Sequence, residues 1–258
     1  MKAIDLKDKV SVVVGGTGDI GSKIVETLAE AGSETITTDI NQEKGDTIAR
    51  DLTQRFKVNS AFYKCDLRSR QEVKNAVNEI LKNHGRIDTI VYAAGYSSFS
   101  EFTNLSDEEW NKSMDINLYG AFRFIQESMP DMLSRKKGNI ILIGSTTTIS
   151  GSGGGSHYAV SKIGLLGILK SLTYELLTEG IRINMVSPGV VDTQMLRIRY
   201  PDTPEVNKKI IDQIPLGRMA KPGDIANIVL FMASDLSEYI CGQEIIADGG
   251  RIIYRRPK

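Results

Sequence analysis

A phenol and an ammonium four residues apart, Tyr158 and Lys162 in the run Tyr-Ala-Val-Ser-Lys, are the pair in this sequence best suited to moving a proton. The segment continues as Ile-Gly-Leu-Leu-Gly-Ile-Leu-Lys-Ser-Leu, a helical pattern that puts both side chains on one face, one turn apart. An unperturbed tyrosine titrates near pH ~10, and bringing it to about 7 takes roughly 4 kcal/mol of preferential stabilisation of the phenolate. A nearby cation in a water-poor site can supply that, and such a phenol exchanges protons with an alcohol or a ketone. The same spacing also suits a core tyrosine beside a lysine whose stem lies along it. The pair therefore requires partners elsewhere in the chain.

A second constellation lies near the N-terminus. The apolar run Val10 to Val14 leads into Gly15-Gly16-Thr17-Gly18-Asp19-Ile20-Gly21, and a helical spacing of Ile24, Val25, Leu28 and Ala29 follows. Glycines between a strand and a helix let backbone approach a pyrophosphate held at the helix N-terminus, and Gly16, Gly18 and Gly21 spell G-x-G-x-x-G. Asp39 ends the next strand 18 residues beyond Gly21. At close to ~20 residues an acid takes the adenosine ribose hydroxyls of NAD and repels the 2′-phosphate of NADP. No basic residue follows Asp39 until Lys44, so NAD is the expected cofactor.

The elements that must hold these residues alternate regularly. Further strands are expected at Thr35–Thr38, Ala61–Cys65, Thr89–Tyr92, Ile140–Ile143, Arg182–Val186 and Glu244–Ile246. Helices are expected at Gln42–Phe56, at Ser69–His84, from Ser106 through Phe122 to a stop before Gly138, from Tyr158 to about Gly180, and at Pro222–Ala233. Ser69 with Glu72, and Ser106 with Glu109, have the spacing of capping boxes. Short apolar strands alternating with amphipathic helices predict an α/β fold: a single doubly wound Rossmann domain over 1–258, with a seven-stranded parallel sheet and helices on both faces. Its ligands should bind beyond the carboxyl ends of the strands. Lys plus Arg number 32 and Asp plus Glu also 32, which excludes a strong field toward nucleic acid or an anionic membrane. Cys65 and Cys241 lack metal-ligand spacing, as do His84 and His157, so no metal site and two buried free thiols are expected. The N-terminal apolar run is too short for a signal peptide or a membrane span, so a cytoplasmic location is expected.

With strand, glycine turn, acid and Tyr-x-x-x-Lys in this order, the chain resembles the short-chain dehydrogenase/reductase family from about Leu6 to Gly250. The family pattern T-G-x-x-x-G-x-G falls on residues 14 to 21, with Val14 in place of the threonine and Asp19 in place of the middle glycine. A carboxylate at 19 faces the expected pyrophosphate, so it must turn away or cap the helix. The family's Asn-Asn-Ala-Gly is here Tyr92-Ala93-Ala94-Gly95. The resemblance implies a catalytic set of Asn117, Ser145, Tyr158 and Lys162, with Ser145 ending the fifth strand 13 residues before Tyr158. In that set Tyr158 is the acid or base, Lys162 lowers its pKa and reaches the nicotinamide ribose, Ser145 binds the substrate oxygen, and Asn117 links to the lysine through water. It also implies cofactor contacts at Gly15, Thr17, Asp19, Ile20, Gly21, Asp39, Asp66, Leu67, Ala93 and Gly95, at Tyr158 and Lys162, and at Val191 and Thr193 in a loop that closes over the nicotinamide.

The function these readings imply is an NAD(H)-dependent oxidoreductase interconverting a secondary alcohol and a ketone. The small-residue loop Gly151 to Gly155 and the neighbouring threonines suit a sugar, polyol or sugar acid. Two alternatives stand beside it: a 3-oxoacyl-carrier-protein reductase, a type that usually takes NADPH, and a dinucleotide-binding sensor without turnover. Thr193 to Leu216 is long for a connection and is expected to be a substrate lid, with Arg197, Arg199, Lys208 and Lys209 as its cations. The helix from Ile163 to Leu177 is apolar beyond one stripe, and Gly164 and Gly167 would let a second helix come close, so a homotetramer is expected.

Overall fold

The β-branched runs become strands and the amphipathic runs become helices in a computed structural model that describes residues 4–253. The ends of the expected 1–258 domain, 1–3 and 254–258, lie outside the described residues. In order the chain forms β1 (Val10–Val14), α1 (Asp19–Glu30), β2 (Glu34–Asp39), α2 (Gln42–Phe56), β3 (Ser60–Lys64), α3 (Arg70–His84) and β4 (Thr89–Tyr92). Then come α4 (Asp107–Met114), a π-helical turn (Asp115–Tyr119), α5 (Gly120–Arg135), β5 (Gly138–Ile143), α6 (Thr147–Ser150) and α7 (Ser156–Leu176). The last part is β6 (Ile181–Pro188), α8 (Gln194–Arg199), α9 (Pro204–Ile211), α10 (Pro222–Ala233) and β7 (Glu244–Ala247).

The strands form one sheet in the order β3-β2-β1-β4-β5-β6-β7 with every pairing parallel. From β1 the chain builds outward through β2 and β3, then crosses to β4 on the other side of β1. The carboxyl ends of β1 and β4 therefore flank the switch point at which a doubly wound sheet opens its crevice. Side chains alternate across the sheet. Val12 and Val14 join Tyr92, Phe124 and Leu165 in the core under α3, α5 and α7. Val13 joins Ile24, Leu28, Val91 and Val229 in the core under α1, α2 and α10. Both faces of the central strands are dry, which is why those strands read as unbroken apolar runs.

Three local expectations are corrected. The helix expected from Ser106 to before Gly138 is broken into α4, the π turn and α5. The wide turn leaves the Ile116 carbonyl to be met by the Tyr92 hydroxyl, a buried phenol donating from the end of β4. Both capping boxes are half-made: Ser69 and Ser106 accept from the amides of Glu72 and Glu109 at 3.2 Å, but each glutamate turns elsewhere. Glu72 accepts from the Asp66 amide at 2.9 Å, and Glu109 from the Ser100 hydroxyl at 2.9 Å. Of the two cysteines, Cys65 is buried and Cys241 only half-buried. The Cys65 thiol is pushed up to about 12, chiefly by burial, which keeps it protonated and unreactive.

Candidate active site

The glycine loop between β1 and α1 is shaped by close approaches that a side chain would block. Gly15 has φ +79°, and a Cβ there would lie 2.5 Å from the Ala94 backbone at the end of β4. A Cβ on Gly21 would overlap the Gly15 carbonyl. Asp39, at the end of β2, is fixed by backbone donors: Oδ2 accepts from the Thr17 amide at 3.1 Å and Oδ1 from the Ile40 amide at 2.7 Å. The acid is thereby tied to the glycine loop itself. Ala93 extends the β1–β4 ladder through its amide to the Val14 carbonyl at 2.8 Å, and Gly95 comes within 4 Å of Lys162 Nζ at its Cβ position, 3.7 Å away. Small residues thus form the floor of the crevice.

Asp19 does turn away. It opens α1 without capping it, and its Oδ2 accepts the Gln194 amide at 2.6 Å, so the glycine loop is bonded to the first turn of α8. The flanking loop is braced as well: Val191 bridges to Ala220, and the Thr193 hydroxyl caps α8 at the Leu196 amide, 3.3 Å away. Ile20 and Leu67 are packed into the two cores, Ile20 under α1 and Leu67 on the opposite face. Asp66 is engaged by the Arg68 guanidinium at 2.6 Å, and that bond holds its carboxyl below the usual range, so the acid serves its own turn.

Ser145, Asn117, Tyr158 and Lys162 are brought together from three different elements, the end of β5, the π turn and α7. The Ser145 hydroxyl lies 2.9 Å from Thr147 Oγ1 and is near enough to the Tyr158 phenol to favour its charged form. Lys162 is buried, with Nζ donating to the Ile143 carbonyl at 2.8 Å and standing 5.6 Å from the centre of the Tyr158 ring. Asn117 is fully buried: Oδ1 accepts from the Tyr96 amide at 2.7 Å, while Nδ2 faces the Tyr96 carbonyl, Ser113 Oγ and Ser161 Oγ at 2.9, 3.1 and 2.9 Å. It holds the loop after β4 against α7.

The electrostatics correct one expectation. Burial raises the Tyr158 phenol above its ordinary value, and the Ser145 hydroxyl only partly opposes that. Burial also lowers Lys162 to about 8. Desolvation penalises the charged form of each, and with Nζ committed to a backbone carbonyl the cation does not offset it. In this state the phenol is a proton donor at neutral pH.

Sequence reasoning missed several supports. Tyr92, which replaces an amide of the family pattern, is the pin of the π turn. Glu244 Oε1 accepts from Thr148 Oγ1 and Ser187 Oγ, each at 2.6 Å, and Thr148 Oγ1 also lies 2.9 Å from the Ser145 carbonyl. The turn that carries Ser145 is thus held from β6 and β7. Ser161 could have been found, being a hydroxyl inside the Tyr-Ala-Val-Ser-Lys run on an otherwise apolar face. Glu244 gave no such signal, since it reads as an ordinary strand residue.

A nicotinamide dinucleotide fits this arrangement. The glycine turn packs too closely on itself and on Ala94 to admit a Cβ at 15 or 21, the acid at the end of β2 is bonded to that turn, and the small floor leads from it to Tyr158 and Lys162. The comparisons agree with the geometry. Residues 16–251 match the family model described as enoyl-(acyl carrier protein) reductase. The chain is 35% identical over 247 residues to the 3-oxoacyl-[acyl-carrier-protein] reductase FabG of Aquifex aeolicus, covering 96% of this chain and 98% of that one. It is 36% identical over 254 residues to the protein of the same name from Rickettsia felis, at 97% and 99% coverage. Among solved structures it is similar to a gluconate 5-dehydrogenase from Burkholderia cenocepacia in complex with NADP and tartrate, with TM-score 0.92, 25% identity and coverage of 97% and 98%. It is also similar to gox2181, with TM-score 0.91, 31% identity and the same coverage. On the fold, the full-length likeness and the serine, tyrosine, lysine and asparagine gathered at the carboxyl edge of the sheet, this chain belongs to the short-chain dehydrogenase/reductase family of oxidoreductases.

Proposed function

We propose that this protein reduces the ketone of a 3-oxoacyl thioester to the secondary alcohol, using NADH. The chemistry rests on half-buried Ser145 and Tyr158 gathered with buried Lys162 and Asn117. The substrate class rests on the agreement of full-length relatives named as 3-oxoacyl reductases, which favours this reading over the sugar or polyol expected from the small-residue loop. The bound cofactor supplies the hydride. The Ser145 hydroxyl donates a hydrogen bond to the carbonyl oxygen and stabilises the charge that grows there. The Tyr158 hydroxyl gives its proton to that oxygen, so hydride and proton together complete the alcohol, and Lys162 and the phenol then regain a proton from solvent. Ala93 and Gly95 leave room for the nicotinamide, and Val191 with Thr193 bounds it from the opposite side.

The preference for NADH rests on Asp39, whose carboxylate at the end of β2 would repel a 2′-phosphate. Kinetics with an acetoacetyl thioester should give kcat/KM at least about tenfold higher with NADH than with NADPH, about 1.4 kcal/mol. Equal or better use of NADPH would overturn the cofactor assignment. A second reading, an oxidoreductase of sugar acids or polyols, draws on the likeness to a gluconate 5-dehydrogenase. Oxidation of gluconate-type polyols with no reduction of the thioester would favour it. NADH binding without turnover of either class would instead point to a sensor.

A further inference from the structure

The loop after β4 is stapled to the start of α7 by bonds that no part of the proton-transfer cluster uses. Ser97 Oγ donates to the Gly154 carbonyl at 2.6 Å. Next, His157 Nε2 lies 3.4 Å from the Ser98 amide and 3.1 Å from Ser98 Oγ. Ser98 Oγ is 3.0 Å from Ser100 Oγ, which donates to Glu109 of α4 at 2.9 Å. Close polar contacts therefore run from the carboxylate on α4 to the residue immediately before Tyr158. Its centre, Phe99, sits at φ +59°, a left-handed conformation that a bulky residue keeps only where its surroundings impose it. The Phe99 ring lies 5.4 Å from the Arg199 guanidinium of α8, so the loop spans the space between α7 and the 193–216 segment.

Polarity fixes the direction of these bonds. The Ser98 amide can only donate, so His157 Nε2 must present a lone pair and the neutral ring carries its proton on Nδ1. The Ser98 hydroxyl then gives its one proton to the same Nε2, and Ser100 gives its own to Glu109, so no proton lies between the two serine oxygens. The fully buried ring leaves Nδ1 without a partner beside Gly155, where a Cβ would come within 2.7 Å of His157 Cε1 and 2.9 Å of the Ser100 carbonyl. We propose that His157 is a positioning residue: its neutral ring, accepting from the Ser98 amide and hydroxyl, holds the 96–100 loop with Phe99 as the wall of the substrate pocket between Tyr158 and the lid. Protonation sets an N–H against the Ser98 N–H, breaks that bond and loosens the wall. Burial keeps the ring below the ordinary histidine range, with Glu109 pulling the other way. The other charged or titratable groups around the loop are Lys112 of α4, 4.3 Å from the Tyr96 ring, Arg199 of α8, and Tyr158 and Lys162 on α7 itself.

The kinetic arm rests on the ketone-reductase reading; the exchange arm does not. His157→Leu deletes the acceptor, and His157→Gln keeps one. In His157→Leu, amide hydrogen exchange at Ser98, corrected for intrinsic rate, should accelerate at least about tenfold, the scale of a lost hydrogen bond to a buried donor. The KM for the acetoacetyl thioester should rise by roughly the same factor while the KM for NADH stays within about twofold. His157→Gln should restore most of both. In the wild-type protein the thioester KM should climb as pH falls below the ordinary histidine value of ~6.5, and that climb should vanish in His157→Gln. Unchanged Ser98 exchange in His157→Leu, or KM values for thioester and NADH that rise together, would overturn the proposal. If the wild-type protein reduces no ketone, the exchange comparison decides alone, and the failure belongs to the substrate reading.

Discussion

Burial, more than any contact between them, moves the protonation of the lysine and the tyrosine of the site. Lys162 is lowered to about 8 by burial, which has a consequence for stability. Between about 8 and 10.4 the unfolded chain holds a proton that the folded chain lacks, so stability must rise with pH across that window. Below about 8 the charged lysine is buried and its cost is felt in full, roughly 3 kcal/mol. Lys162→Met should therefore be more stable than the wild-type protein at pH 7, and the gap should narrow by pH 10 in denaturant titrations. A constant gap from pH 7 to 10 would show that burial does not shift this lysine. The neighbouring phenol makes a separate prediction. Tyr158→Phe keeps the ring and removes the proposed proton donor, so kcat should fall by roughly 10²-fold or more while NADH affinity barely changes. Retention of most of the wild-type kcat would exclude the phenol as the acid.

At the scale of elements, the departures from the family pattern are joints between segments. Asp19 connects the turn at the end of β1 to the amide that opens α8, across 175 residues of sequence. Inside the following segment Arg197 pairs with Asp192 at 2.7 Å and reaches Asn207 Oδ1 at 2.7 Å, and Lys208 pairs with Asp212 at 2.9 Å. The expected lid is thus two short helices, and Arg197, one of its expected cations, braces it from within. Asp19→Ala should free α8 and raise deuterium uptake over 194–199. The same change removes a negative charge beside the expected pyrophosphate, so NADH should bind roughly threefold to tenfold more tightly, or about 0.5 to 1.4 kcal/mol. Weaker binding would mean that the latch helps form the cofactor site. The π turn is a joint of the same kind: it brings Asn117 to face Tyr96, Ser113 and Ser161 at once.

For the molecule as a whole, the faces left uncovered suggest assembly. Leu165, Leu169 and Leu176 of α7 are buried against the sheet, while Val160 and Ile163 are 45% and 47% exposed, alongside Tyr119 at 50% and Phe122 at 44%. An apolar face of this kind asks for a partner. Gly164, expected to admit a neighbouring subunit, admits Leu118 of its own chain, whose Cδ2 would lie 2.8 Å from a Cβ there, whereas Gly167 has open space around it. A homotetramer remains the expected state, to be checked by sedimentation, and a monomer at micromolar concentration would overturn it. The architecture itself was legible in the sequence because strands buried on both faces need unbroken apolar runs and their helices need one apolar stripe, both local patterns. The glycine turn, Asp39, Tyr158 and Lys162 were legible for a related reason: each depends on spacing within one or two adjacent elements. Where each polar side chain ends was decided only by the tertiary structure. Glu72 and Glu109 leave their caps for the Asp66 amide and for Ser100, Tyr92 pins a distant carbonyl, Asp19 reaches α8, and the phenol is raised rather than lowered. A hydrogen bond or a desolvation cost depends on whatever group the fold brings alongside, and no local pattern carries that partner's identity.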